Sequence, residues 1–354
     1  MYFKLPICDV HIHAWDMDSA RETLSMVDEL GYEKFVMLSA ASYALEAVGN
    51  NLACAWVKLN RPGRGYAFAA AHYPENGAPS AADLLKQTEL FHALGFDGIK
   101  MMDGKPNMRR RIGVPLNSPV FDEMFSFMED KGIPLLYHVN DPWEFWEWDK
   151  MPEWAKAMGG RVYYGGGVYP GKRQIEDEAV DILNKHPRLR VVFPHFFFTA
   201  ADIGRTKELF DAYPNMSYDI TPGWEMFESF AERYPEWRRF FMDYSSRILF
   251  GSDTISGHWR ETVSCLKRAM ETGEEFTAFE ERCKGLDLPD ETLADIYKNN
   301  FGRFIPFPPR PMDTARLIAY GESLYGRAQT LKEHSTQKAK ASIDEALAAL
   351  KAME

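Results

Sequence analysis

Short apolar runs alternate along this chain with longer stretches in which apolar residues recur at three- and four-residue intervals. The first pattern marks strands and the second marks amphipathic helices. The runs predict strands over residues 7–13, 34–39, 66–72, 98–102, 133–138, 190–195, 216–220 and 247–253, and the periodic stretches predict helices over 19–30, 81–94, 118–131, 177–186 and 259–272. Strands and helices alternating in this way form βα units on a parallel sheet, and eight of them close into an α/β fold of the (β/α)8 TIM barrel type.

The residues that end these runs carry the next step. The first run closes on Asp9-Val10-His11-Ile12-His13, and later ones close on His138, His195 and Asp253. A barrel of roughly 250 residues allots about 31 to each unit. His13 to His138 spans 125 residues, which is four units, and His195 to Asp253 spans 58, close to two. His138 to His195 spans 57 where one unit is expected, which leaves an insertion over 140–171 after the fifth strand. It carries Trp143, Phe145, Trp146, Trp148, Trp154, Tyr163 and Tyr164. It reads either as a lid offering Trp143 and Trp146 to a substrate or as a segment with its own small core. The barrel is expected over 1–305, and Pro306-Phe307-Pro308-Pro309 introduces a helical extension over 306–354. Ser342 and Glu345 read as a capping box for its last helix, and the extension offers a surface for a homodimer.

Composition narrows the partners. A hydrophobic content of 45% can fill one large core, and 26% charged residues give an ordinary soluble surface. The net charge of -11, from 41 basic and 52 acidic residues, disfavours nucleic acid and anionic membranes and leaves a small-molecule substrate as the expected partner. No run approaches the ~20 apolar residues of a membrane span, and the first residues lack the pattern of a secretory leader, so a cytoplasmic location is expected. The cysteines, Cys8, Cys54, Cys265 and Cys283, are scattered and read as reduced packing residues.

Residues two apart on a strand point the same way, so His11 and His13 can hold one ion, with Asp9 on the same inward face one layer deeper, where it reads as a buried hydrogen-bonding residue and not a ligand. His138, His195 and Asp253 fall at the strand ends where barrels of this kind place their chemistry. Nitrogen donors with a carboxylate suit Zn2+ and also accept Mn2+, Fe2+ or Ni2+. Lys100 ends the fourth strand and His72 the third; both are candidate substrate contacts, with a rim salt bridge or hydrogen bond as the plainer role. Arg109, Arg110 and Arg111 read as an acid-binding cluster or a solvated basic loop. His92, His186, His258 and His334 fall on helix-like or loop segments and read as solvated.

Several segments, in order, carry a family resemblance: residues 9–13, Asp97-Gly98-Ile99-Lys100, Leu136-Tyr137-His138, Phe193-Pro194-His195, 215–219, Phe250-Gly251-Ser252-Asp253 and Asn299-Asn300-Phe301-Gly302-Arg303. Over 7–305 the chain resembles the amidohydrolase superfamily, in the amidohydrolase-related (amidohydrolase 2) branch that includes aminocarboxymuconate-semialdehyde decarboxylase and several lactonases. The resemblance implies one divalent metal held by His11, His13, His138 and Asp253, with His195 and Asp253 catalytic. It implies two metals if Lys100 is carbamylated. His11 stands where some decarboxylating relatives have Glu, which leans toward hydrolysis of an amide, ester or lactone bond in a small carboxylated or cyclic substrate. Two other readings on the same scaffold are a metal-dependent decarboxylase of an unsaturated or aromatic acid and a metal-free lactonase.

Overall fold

Eight parallel strands pair in chain order: β1 (Cys8–His13), β2 (Lys34–Leu38), β3 (Gly65–Ala69), β4 (Gly98–Gly104), β5 (Leu135–Val139), β6 (Val191–Phe193), β7 (Met216–Asp219) and β8 (Ile248–Leu249). The computed structural model describes residues 3–223, 225–254 and 259–354. The ring closes where the chain beyond β8 meets β1. The Val10 N–H donates to the Phe250 carbonyl at 3.0 Å, the Asp253 N–H donates to the His11 carbonyl at 2.7 Å, and Ile12 bridges Thr254. The result is the expected (β/α)8 TIM barrel with a helical C-terminal segment. The eighth predicted run keeps regular pairing only at Ile248–Leu249 and continues to Thr254 as the closing seam.

Both faces of the strands are buried, which is why the runs read as nearly unbroken apolar stretches. Val10, Val36, Leu38, Phe68, Leu136 and Leu249 fill the barrel, sealed by Phe301 and Phe304 of the helix Asn300–Phe304. The alternate residues, among them Met37, Ala67, Ile99, Tyr137 and Phe193, pack into the larger core shared with the helices.

β1 breaks this alternation. Its pairing shifts by one residue, with Asp9 opposite Phe35 but Ile12 opposite Met37. An extra residue on one strand reverses which face the following side chains take. Val10 therefore lies in the barrel's interior cluster, and His11 and His13 follow it inward. Asp9, expected on the same face as the histidines, is out of phase with them and braces the bulge. Its Oδ1 accepts from the His11 N–H at 2.8 Å and the Ser252 N–H at 3.2 Å, and its Oδ2 accepts from the Ser252 hydroxyl at 2.5 Å.

The 140–171 insertion holds short helical turns, Trp143–Trp146, Trp148–Lys150 and Glu153–Ala157, around Phe145, Met151, Ala155 and Tyr164. Of the two readings of its aromatics, the segment thus has its own small core. After the barrel, helices Thr314–Ala328 and Glu333–Lys351 pack Leu317, Leu324, Ile343, Leu347 and Leu350 into the common core. The expected capping box is not at a helix start, because Ser342 lies inside Glu333–Lys351, where its Oγ accepts from the Gly49 N–H at 3.2 Å. Gly49 has no room for a side chain, since a Cβ there would run into the Ser342 backbone.

His186, expected to be solvated, is buried with Nδ1 3.0 Å from Glu129, and His92 lies against Arg310. His258 and the side chain of His334 fall outside the described residues. Among the described residues no helix is long and apolar enough to cross a membrane.

Candidate active site

The bulged end of β1 sets the first two side chains. His11 Nδ1 lies 2.9 Å from Asp219 Oδ2 and 3.1 Å from Thr221 Oγ1, and His13 Nδ1 lies 2.9 Å from the Leu38 carbonyl. A carbonyl can only accept, so His13 carries its proton on Nδ1, and the Asp219 carboxylate selects the same tautomer at His11. Both Nε2 atoms then present lone pairs, and they face each other at 3.2 Å. Burial, reinforced by the nearby Lys100 charge, holds both rings well below the usual imidazole pKa, so no proton relieves that repulsion.

A cation against both lone pairs would relieve it, and a third donor is in place. Asp253 Oδ1 lies 3.5 Å from His11 Nε2 and 3.7 Å from His13 Nε2, and the three ligand atoms all fall within 4.8 Å of one another. Two imidazole nitrogens and one carboxylate oxygen fit a divalent ion with coordination to spare. Among the described residues this is the one group of three or more such donors.

The group is braced from β7. Asp219, fully buried, accepts from the His195 and Thr221 N–H groups on Oδ1, at 3.1 and 3.0 Å, while Oδ2 fixes His11. Gly251 makes this possible, because a Cβ there would sit 2.8 Å from Asp219 Oδ2. Asp253 follows on a left-handed backbone with φ of 49°. Burial, partly opposed by Lys100, lifts its carboxyl to about 7, and its side chain is 29% exposed where those of His11 and His13 are 5% or less.

His195 approaches Asp253 from the other side. Its Nδ1–H donates to the Pro222 carbonyl at 3.1 Å, so Nε2 is a bare acceptor, 4.0 Å from Asp253 Oδ2. Burial and the neighbouring His138 keep this ring at about 3, hence neutral. His195 through Phe198 form a left-handed turn with φ of 55°, 54°, 56° and 50°. Such a conformation costs L-residues roughly 1–2 kcal/mol each and persists only where packing fixes it. Its three-residue period brings Phe198 over His195, with ring centroids 5.0 Å apart and planes at 20°.

His138, expected as the fourth ligand, is not brought into the donor group. Asn140 turns the chain back with φ of 70°, which sets its carbonyl 3.1 Å from His138 Nε2. The Lys105 ammonium lies 3.3 Å from the same nitrogen and donates to Asp141 Oδ1 at 2.7 Å. Burial works against it, yet Lys105 and His138 hold the Asp141 carboxyl well below the usual range. Lys100 ends inside the barrel with a buried Nζ that has no hydrogen-bond partner among the described residues; burial lowers it to about 8 against the pull of Asp253 and Asp219.

His72 sits elsewhere. It is buried against the C-terminal segment, with Nε2 3.1 Å from the Tyr320 hydroxyl. Trp146 donates from Nε1 to the Pro170 carbonyl, and its links toward the histidines run through Lys172, whose Nζ lies over its ring at 6.0 Å and over Phe198 at 5.4 Å, and through Tyr164, which donates to Asp141. Trp143 is covered by Lys150 at 5.3 Å. The three arginines are structural: Arg109 pairs with Glu178 at 2.7 and 3.0 Å, Arg110 lies over Tyr169, and Arg111 donates to the Ser42 and Tyr43 carbonyls.

The sequence reading gives no role to Asp219, although it ends the 215–219 segment of the resemblance, and none to Lys105, Asp141 or Phe198. Asp219 closes an apolar run as His138 does, and that signal would have found it. The other three follow strand ends by a few residues in no periodic pattern.

A family model described as amidohydrolase matches residues 8–307. Solved structures share the fold at low identity. An amidohydrolase II aligns at TM-score 0.54 with 14% identity, covering 85% of this chain and 100% of that one. IDCase of Metarhizium anisopliae in its apo form gives 0.53 and 13%, covering 86% and 97%. A 2,6-dihydroxybenzoate decarboxylase complexed with 2,6-dihydroxybenzoate gives 0.51 and 16%, covering 85% and 100%. No curated protein gives a significant sequence match.

Proposed function

Because this chain belongs to the amidohydrolase family, we propose that it is a metal-dependent hydrolase that cleaves an amide, ester or lactone bond in a small carboxylated or cyclic molecule. The observation that carries this reading is the position of Asp253, whose Oδ1 faces the two bare imidazole nitrogens and whose Oδ2 faces bare His195 Nε2. When bound by His11, His13 and Asp253, a divalent ion, Zn2+ foremost, supplies Lewis acidity that polarises a carbonyl and lowers the pKa of water to about 7.

The protein's own groups do the rest. Asp253 Oδ2 and His195 Nε2 are both acceptors, and 4.0 Å is too long for a hydrogen bond between them, so each is free to hold the attacking water. A carboxyl near 7 suits Asp253 to take the water proton and return it to the leaving group. Asp219 keeps His11 in its working tautomer and fixes the His195 backbone. The Lys100 ammonium, buried without a hydrogen-bond partner, would receive a substrate carboxylate, and that missing partner supports the role. We favour one ion over the carbamylated two-metal alternative because His138 Nε2, which a second ion would need, lies 3.3 Å from the Lys105 ammonium.

Lys100 also sustains the second reading, a decarboxylase of an unsaturated or aromatic acid, since an unpaired buried ammonium can hold the carboxylate that is lost. The test is a panel of lactones, esters and aromatic acids given to metal-loaded protein, with pH-stat and carbon dioxide detection. Hydrolysis without carbon dioxide, lost in Asp253→Asn with the fold retained, is expected. Carbon dioxide release selects the lyase, and hydrolysis that persists after the metal is stripped selects the metal-free lactonase.

A further inference from the structure

A cavity of about 510 Å3 lies outside the histidine cluster, between the loops that follow β2 and β3 and the C-terminal helices. Leu45 and Val48 line it from the first loop, His72, Ser80 and Asp83 from the second, and Arg327 and Leu331 from the C-terminal segment. The last two stand beyond residue 307, where the family match ends, so this wall is not part of the matched barrel.

The polar groups on its surface are unevenly spent. Asn51 is fixed by accepting from the Ala70 N–H at 2.9 Å and donating to the Ala70 carbonyl at 3.0 Å, and its amide also donates to the Tyr320 hydroxyl at 3.1 Å. The Tyr320 hydroxyl, its oxygen already accepting from Asn51, can turn its own proton to His72 Nε2, 3.1 Å away, and the Asn51 amide nitrogen faces the same ring nitrogen at 3.4 Å. His72 is 6% exposed, and burial together with Arg327 keeps it neutral, at about 3. A neutral ring accepting at Nε2 carries its proton on Nδ1, and that N–H has no partner among the described residues. It is a donor open to the cavity that His72 lines.

Two further donors converge there. Arg327 spends one nitrogen, Nη2, on Asp83 Oδ1 at 3.2 Å and has N–H groups left over. Ser80 caps the 14-residue helix Ala81–Leu94 by accepting from the Asp83 N–H, which leaves the first amides of that helix, with their positive dipole end, unspent. The one carboxylate in the lining, Asp83, is occupied on both oxygens, by Arg327 and by Gln87 at 2.8 Å. Donors are free and the carboxylate acceptor is not, above an apolar wall of Leu45, Val48 and Leu331.

We propose that this cavity is a second ligand site, separate from the barrel mouth, that takes a small monocarboxylate with an apolar body. The carboxylate faces the His72 Nδ1–H, Arg327 and the start of the Ala81–Leu94 helix, and the body lies on the apolar wall.

Calorimetric titration of the full chain with hexanoate, and with hexan-1-ol as the same body without the charge, tests it. Hexanoate is expected to bind, with hexanol and the Arg327→Met variant each weaker by about tenfold, as for a lost charge-assisted contact. Leu45→Trp, which fills the cavity and leaves the Arg327–Asp83 pair intact, should abolish binding with an unchanged melting temperature. Lys100→Met should leave hexanoate affinity as it is. No hexanoate binding, equal binding of hexanol, or a loss in Lys100→Met that Leu45→Trp does not share would overturn the proposal, the last by placing the probe at the barrel mouth.

Discussion

On the β8–β1 side of the mouth, His11 and His13 donate from Nδ1 to Asp219 and the Leu38 carbonyl and turn bare Nε2 atoms toward Asp253. On the β4–β5 side, His138 has its Nε2 against the Asn140 carbonyl and the Lys105 ammonium. All three histidines lie in the C-terminal halves of barrel strands and all three are buried. What separates them is the partner behind the ring or in front of it: a fixed acceptor behind frees the inner nitrogen for a cation, whereas an ammonium in front takes the cation's place. Whether a histidine can serve as a ligand thus depends on its supporting contacts as much as on its position.

The comparison can be broken most forcefully on its first side. His13→Ala should reduce bound metal from about one ion per chain to near zero and lower kcat/KM by more than about a thousandfold, read by elemental analysis and kinetics. Full metal content in this variant would mean that the ion lies elsewhere. Asp219→Asn keeps the donors but loosens the His11 tautomer, so metal affinity should fall by about 10–100-fold in a chelator competition.

A pH series of the same competition sharpens the picture. Protons compete with the ion at Asp253 below about 7, while His11 and His13 stay neutral far lower, so affinity should fall about tenfold per unit from pH 7 to 5. A slope of two protons would show an imidazole titrating as well. The smallest effect is expected on the second side. Lys105→Met should leave metal affinity within about twofold while kcat/KM drops about tenfold; a marked rise in affinity would show that His138 joins the ligands once the ammonium is gone.

Most of the fold was legible because a barrel strand's burial on both faces writes itself as an apolar run, and a βα unit has a characteristic length. That rhythm places His138 on the fifth strand, where it lies, and Asp253 at the end of the eighth, whose regular pairing stops at Leu249, short of Asp253. The contacts themselves were not legible. His72 is claimed by Tyr320, 248 residues away, and no local pattern reports that. The turn at Asn140 depends on one backbone angle, and the Ser342-Glu345 pair matched a cap in the middle of a helix that had begun at Glu333. Asp9 was assigned the wrong face because a period of two was counted straight through a bulge.

That bulge bears on how such a site could be gained or lost. Without the extra residue between Asp9 and Ile12, the phase that puts Val10 inside would send both imidazoles into the helix layer, with every side chain still present. Substitution scanning across β1 would not expose this dependence, because no single side chain carries it. Deleting one residue would, and the donor pair is in this sense a property of chain length before it is a property of histidine.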